Sequence, residues 1–174
     1  MKMAQSIRWK RSARGVLAAA FLLAAGLASI SHAGLFDDIF KKSPAETAKA
    51  AGVIKTADQV KIPLKILDSG KALFLVHPHE GRDLFSFAMR SSDGVYRAAF
   101  DTCDVCFRAN RGYRQEGDLM VCKQCRQAFP SVKINEVRGG CNPAPLSRKV
   151  EGQFLVIQKA DLAAGKDYFI LIRS

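Results

Sequence analysis

The side chains best suited to chemistry are five cysteines, all lying between residues 103 and 141. They read Cys103-Asp-Val-Cys106, then Cys122-Lys-Gln-Cys125, then a lone Cys141. Two C-x-x-C pairs fifteen residues apart match the four-thiolate pattern of ribbon and rubredoxin-like metal sites. Two intervening residues let one backbone turn aim both sulfurs at a single ion, and a hairpin between the pairs brings the second turn opposite the first. The candidate ligands are therefore Cys103, Cys106, Cys122 and Cys125. Two other readings of the same thiols stay open: two structural disulfides, or thiol–disulfide redox chemistry. The odd count speaks against the first, as does the reactivity of a disulfide closed within one C-x-x-C pair. A c-type haem is excluded, because Phe107 and Arg126 stand where a histidine is required.

Cys141 can be a further ligand, a redox partner or a small buried hydrophobe. The flexible Gly139-Gly140 before it and the stiff Asn142-Pro-Ala-Pro145 after it favour a role at the site. His77-Pro-His79-Glu80 offers two imidazoles and a carboxylate, a set that suits a transition metal, or it is an ordinary turn after a strand. No serine, histidine and acid arrangement for nucleophilic catalysis stands apart from that one turn, and no phosphate loop is present. The chemistry expected is metal binding or electron transfer rather than group transfer.

Hydrophobic periodicity supplies the elements that position these residues. Val60, Ile62, Leu64 and Ile66 alternate with Lys61, Pro63 and Lys65, which predicts a strand over 60–66, with Pro63 placing it at a sheet edge. Strands are expected over 72–76, 83–90 and 95–100, with Ser91-Ser-Asp-Gly94 as a hairpin turn. The last of these runs into Cys103, so a rigid strand fixes the first metal turn. Gly112 to Gln115 and Leu119 to Cys122, joined by Glu116-Gly117-Asp118, form the hairpin between the pairs. Further strands are expected over 132–137, 154–158 and 168–172, with a short helix over 160–164. Ahead of them, Ser43-Pro-Ala-Glu46 opens an Ala-rich helix that stops at Gly52. Leu35, Phe36, Ile39 and Phe40 form one apolar helical face, read as packing or a tether.

The first 33 residues read as an export signal. Arg8, Lys10, Arg11 and Arg14 precede an apolar run over 15–30, and Ser31-His32-Ala33 suits cleavage. The run is shorter than the ~20 apolar residues a membrane span needs. Membrane association is then expected only through an uncleaved signal. The formal charge of +11 owes five Lys or Arg, and no acid, to this segment, leaving +6 on residues 34–174. An exported chain of that charge has little occasion to meet nucleic acid. Arg108, Arg111, Arg114, Lys123, Arg126, Lys133 and Arg138 instead sit where they can offset a thiolate site, whose four sulfurs and one divalent ion carry −2.

The blocks Tyr96-Arg-Ala-Ala-Phe-Asp-Thr-Cys103-Asp-Val-Cys106, Gly112-Tyr-Arg-Gln-Glu-Gly-Asp-Leu-Met-Val-Cys122 and Gly139-Gly-Cys141-Asn-Pro-Ala-Pro145 resemble the FtrD-like membrane iron–sulfur protein family over about residues 60–170. The resemblance implies a cysteine-bound iron–sulfur centre serving ferrous-iron uptake, with Cys103, Cys106, Cys122, Cys125 and Cys141 as the matching thiols. It implies work beside a periplasmic iron-binding protein, a cupredoxin-like oxidase and an iron permease. Fuller members of the family carry many membrane helices, and this chain resembles their soluble cysteine domain. Where many relatives carry glycine after the second pair, this chain has Arg126.

The expected architecture is α+β: a small β-rich single domain over 59–174 with a two-knuckle metal-ribbon insertion, preceded by the signal and a short helical segment over 34–58. The expected protein is exported, periplasmic or membrane-anchored, and binds an iron–sulfur cluster, mononuclear iron or zinc. Its expected role is electron transfer or metal handling in iron uptake. The alternatives are a structural zinc ribbon that docks partners and a periplasmic thiol–disulfide redox protein.

Overall fold

A computed structural model describes residues 44–170. The expected signal, the apolar segment 35–40 and residues 171–172 of the last expected strand lie outside the described residues.

The chain opens with α1 (Pro44–Ala50), which has proline at its first position as the sequence predicts, and β1 (Ile54–Lys55). β2 (Gln59–Pro63) follows, then a single helical turn, α2 (Leu64–Leu67). β3 (Leu73–His79), β4 (Arg82–Arg90) and β5 (Tyr96–Phe100) form an antiparallel meander. β6 (Tyr113–Glu116), β7 (Leu119–Cys122) and β8 (Ala128–Pro130) form a second. β9 (Lys149–Glu151), β10 (Phe154–Gln158) and α3 (Lys159–Ala164) close the described chain, with a 3-10 turn over Lys166–Phe169. The result is small and strand-rich, with three sheets and few helices.

The β3–β4–β5 sheet is the middle layer, and its two faces own two different cores. Leu75, Leu84, Ala88, Ala98 and Phe100 turn one way, against Val60, Ile62, Leu155 and Ile157 of the β1–β2–β10–β9 sheet. Phe87, Met89 and Ala99 turn the other way, against Tyr113, Met120 and Cys122 of the β6–β7–β8 sheet. A strand residue and its neighbour face opposite sides, so one strand feeds both cores. This is why β4 reads as nearly continuous apolar sequence rather than as an alternation. Phe87 is fully buried, with ring centroids 5.7 Å from Phe74 and 6.2 Å from Tyr113. Tilted pairs of this kind add about 1 kcal/mol each beyond their buried area.

Several expectations are corrected. The strand over 60–66 ends at Pro63, and residues 64–67 coil into α2. β2 is not an edge strand; it lies between β1 and β10. Proline is tolerated there because β1 reaches only Val60 and Lys61, so no partner lies beside Pro63 on that side. Residues 132–137 are not a strand. They form a 3-10 turn over Ser131–Lys133 and then irregular chain, with Asn135 at φ 70°. Residues 168–169 belong to a 3-10 turn and Ile170 is irregular chain, so 168–170 are not strand. β3 runs on through His79, so the two histidines sit in a strand rather than in a turn.

The irregular segment is held by one buried cation. Arg97 on β5 is 3% exposed, and its guanidinium bonds Asp93 and Glu136 at 2.7 Å each. It also donates to the Ile134 carbonyl at 2.6 Å and to Ser91 Oγ at 2.8 Å. Asn135 Nδ2 donates to Ala98 O at 2.8 Å. Side-chain bonds between this segment and β5 therefore replace the ladder that the apolar spacing of 132–137 suggests, and they fix the approach to Cys141.

Candidate metal centre

Three loops deliver the sulfurs, and each is tied to the middle sheet or to the hairpin. The first leaves β5 at Asp101, with Cys103 buried and Cys106 half-buried. Cys106 N–H donates to Cys103 Sγ at 3.2 Å, and Phe107 N–H to Cys103 O at 3.1 Å. The second leaves β7 at the buried Cys122 and turns through the exposed Cys125. Cys122 N–H donates to Gln127 O and Arg126 N–H to Cys122 O, both at 2.9 Å. The third carries Cys141. Its continuation lies against the end of β5, where Phe100 N–H donates to Ala144 O at 2.8 Å and Ala144 N–H to Thr102 O at 2.9 Å.

The sulfurs converge in two groups that share Cys106. Cys103, Cys106 and Cys122 lie within 4.8 Å of one another, as do Cys106, Cys125 and Cys141. Cys106 Sγ and Cys141 Sγ are 3.7 Å apart. An ion bonded to thiolates at ~2.3 Å in a tetrahedron has edges of ~3.8 Å, so this donor set fits a thiolate-bound metal. All five cysteines are free thiols. The spacing of the pairs points to Cys103, Cys106, Cys122 and Cys125; the fold adds Cys141 beside them.

Burial is the largest influence on the protonation of Cys106, Cys141 and Cys122. It pushes the Cys106 thiol far up, helped by the Cys141 thiol and by the charges of Cys103 and Cys122. Cys141 is pushed up to about 11, again mainly by burial. Burial likewise raises Cys122. At Cys125 burial acts upward too, but the Gln127 N–H and the neighbouring Cys141, Cys122 and Cys106 thiols outweigh it and hold this thiol below its ordinary range. A cluster that resists ionisation when empty must shed protons as a cation binds, so metal affinity rises with pH. Arg114 is paired with Glu116 at 2.6 Å, and Arg108 lies over the Phe107 ring at 5.7 Å. Arg108, Arg111, Lys123, Arg126, Lys133 and Arg138 form no ion pair among the described residues.

Residues that sequence reasoning passed over frame the site. Asp101 is buried and accepts Tyr113 N–H at 2.7 Å. Tyr113 is buried, and its hydroxyl donates to Cys141 O at 2.6 Å. Burial, then the nearby Cys103, drives that hydroxyl well above its usual range, so it remains a donor. Asn142 Nδ2 donates to Val137 O. The signal for the first two was their placement, two residues before Cys103 and at the mouth of the hairpin.

Arg126 is at φ 63°, a left-handed backbone that costs an L-residue ~1 kcal/mol or more and costs glycine nothing. The side chain is exposed. Arg126→Gly is therefore expected to stabilise the protein by about 1 kcal/mol in urea unfolding. A net loss would mean that the guanidinium contributes more than the strain costs.

Neither histidine joins the sulfurs. His77 lies on the opposite face of the middle sheet, 6% exposed, with Nε2 2.7 Å from Ser86 Oγ. His79 Nε2 lies 3.7 Å from Glu80. Burial, then repulsion from Lys55 and Lys159, lowers the His77 imidazole from its ordinary 6.5 to about 4. Protonation therefore favours the unfolded chain. The stability that the neutral ring contributes is fully present above pH ~6.5 and is lost as pH falls toward ~4, by about 3 kcal/mol in all. Urea midpoints measured from pH 7.5 to 4.5 are expected to show that fall. His77→Gln, which keeps a partner for Ser86, is expected to remove most of it.

A small strand-rich fold that gathers five free thiols into two groups sharing Cys106 defines a candidate thiolate metal protein. A protein-family model described as membrane iron–sulfur containing protein FtrD-like matches residues 57–169, and the chain belongs to that family. The matched span holds all five cysteines and both strand histidines. Comparison with curated proteins and with solved structures gave no match. Among the described residues no helix is long and apolar enough to cross a membrane.

Proposed function

We propose that this is an exported protein whose cysteine cluster holds an iron–sulfur or iron centre, and that it transfers electrons or handles metal during ferrous-iron uptake. The observation that carries this reading is the convergence of five free thiols on Cys106. On this reading residues 1–33 are the export signal and residues 59–174 the metal-binding domain, active in the periplasm. Cys103, Cys106, Cys122 and Cys125 serve as ligands, with Cys141 as a further ligand or redox partner. The family resemblance supplies the proposed partners: a periplasmic iron-binding protein, a cupredoxin-like oxidase and an iron permease.

A bound iron centre supplies one-electron exchange. The chain's own residues set its surroundings. Cys103 and Cys122 lie within the second core and exclude water, whereas Cys125 is exposed and offers the short route to a partner. The unpaired arginines and lysines around the loops favour the more negative state of the centre and raise its potential.

The test is metal and acid-labile sulfide analysis, with an absorption spectrum, on full-length protein purified without air. Iron at stoichiometric occupancy with visible thiolate-to-iron absorption is expected. Zinc alone, with no visible band, would overturn the redox reading in favour of a structural zinc site. The burial of Cys103 and Cys122 in the core favours that second reading.

A further inference from the structure

On the far side of the middle sheet from the thiols, β1, β3 and the start of α3 enclose a cavity of about 100 Å³. Its polar lining is Lys55, His77, His79 and Lys159, and Leu84 and Leu162 are among its apolar walls. The sequence reads the two histidines as possible ligands for a transition metal. The two lysines reverse that expectation. Both ammonium groups act on His77, and Lys159 also acts unfavourably on Lys55. Among the described residues no carboxylate lines the cavity. Glu80 lies within 4 Å of His79 and of Lys166, and Asp83 attracts Lys55 from outside the lining set. A divalent cation entering here would meet two like charges, whereas an anion would relieve their repulsion.

We propose that this cavity is a binding site for a small oxyanion, held between the ammonium groups of Lys55 and Lys159 and flanked by His77 and His79. Lys55 Nζ already donates to Val76 O at 2.8 Å, which fixes its position and leaves two of its three protons for a ligand. The Nε2 of His77 is committed to Ser86, so the ring is oriented before any ligand arrives. The volume equals roughly three waters in the liquid. That is room for a phosphate, a sulfate or a short carboxylate. The site is separate from the thiol cluster and does not depend on which metal that cluster holds.

The experiment is a titration of the full-length protein at constant ionic strength, following the ring C–H resonances of His77 and His79 and the melting temperature. Inorganic phosphate and acetate are the two arms, and chloride is the control. A saturable shift with phosphate assigns an inorganic oxyanion, and one with acetate assigns a carboxylate; either supports the site. Lys159→Met, at an exposed position, and Lys55→Met are each expected to weaken binding about tenfold, the effect of losing one charged hydrogen bond. Three results would overturn the proposal: no saturation with either anion, an equal response to chloride, or histidine shifts that follow zinc instead of anions. The wild-type titration decides the matter even if a variant fails to fold.

Discussion

Cys106→Ser is expected to lower metal affinity by about a hundredfold or more, further than serine at any other cysteine. The reason is geometric. Cys106 is the one thiol common to both sulfur groups, so its loss leaves each group with two sulfurs. Removing Cys125 or Cys141 leaves the Cys103, Cys106 and Cys122 group whole. Structural thiolate sites bind with apparent energies of ~10–16 kcal/mol shared by four ligands, so one ligand accounts for ~3 kcal/mol, or roughly a hundredfold. Cys141→Ser is expected to cost about tenfold if that sulfur is an auxiliary ligand, and nearly nothing if it is a redox partner. Competition against a chelator of known affinity, with all five single variants measured at one pH, ranks them. Equal losses at Cys106 and Cys141 would remove the special place assigned to Cys106. Folding must be checked alongside, because Cys103 and Cys122 also fill the second core.

Local signals accounted for much of this architecture, and the misses fall on elements too short to show a period or on contacts distant in sequence. The β6–β7 hairpin was legible because Gly117, at φ 58°, sits at its tip in the Glu116-Gly117-Asp118 turn before the apolar Leu119 to Cys122. The β4–β5 hairpin was legible through Ser91-Ser-Asp-Gly94, where Gly94 is at φ 84°. β8 and β9 have three residues each, too few to show a period. The segment 132–137 has the spacing of a strand, but Arg97 on β5 takes the Ile134 carbonyl and the Asn135 side chain bonds Ala98 O on β5. That outcome depends on partners 37 residues away, which no local window contains. The site shows the same division. The C-x-x-C spacing marked four candidate ligands, but the position of Cys141 is set by pairing of residues 144–145 with the end of β5. His77 and His79 are two residues apart and share a strand face, and only the fold shows that Lys55 and Lys159 share their cavity.

Gly112→Ala is expected to destabilise the protein by about 3 kcal/mol and to loosen the metal centre at the same time. Gly112 is at φ 68°, and a Cβ there would lie 2.6 Å from Asp101 Cγ. The left-handed backbone alone costs alanine about 1 kcal/mol. The larger cost is the carboxylate. Asp101 is 3% exposed and its Oδ1 accepts Tyr113 N–H at 2.7 Å, so displacing it strands a buried donor at about 1–3 kcal/mol. The same glycine accepts Lys123 N–H at 2.9 Å, which ties the first cysteine loop to the second. A shift at residue 112 therefore moves Cys122 relative to Cys103, and metal affinity is expected to fall with stability. Gly117→Ala is the control, because Gly117 is at φ 58° with no atom within 4 Å of the added Cβ. It is expected to cost only the backbone term, about 1 kcal/mol, and to leave metal affinity unchanged. Urea unfolding of both variants, with chelator competition on each, separates the two contributions. If they prove equally destabilising, the Asp101 contact contributes nothing, and the coupling of the two loops must run through the Lys123 hydrogen bond alone.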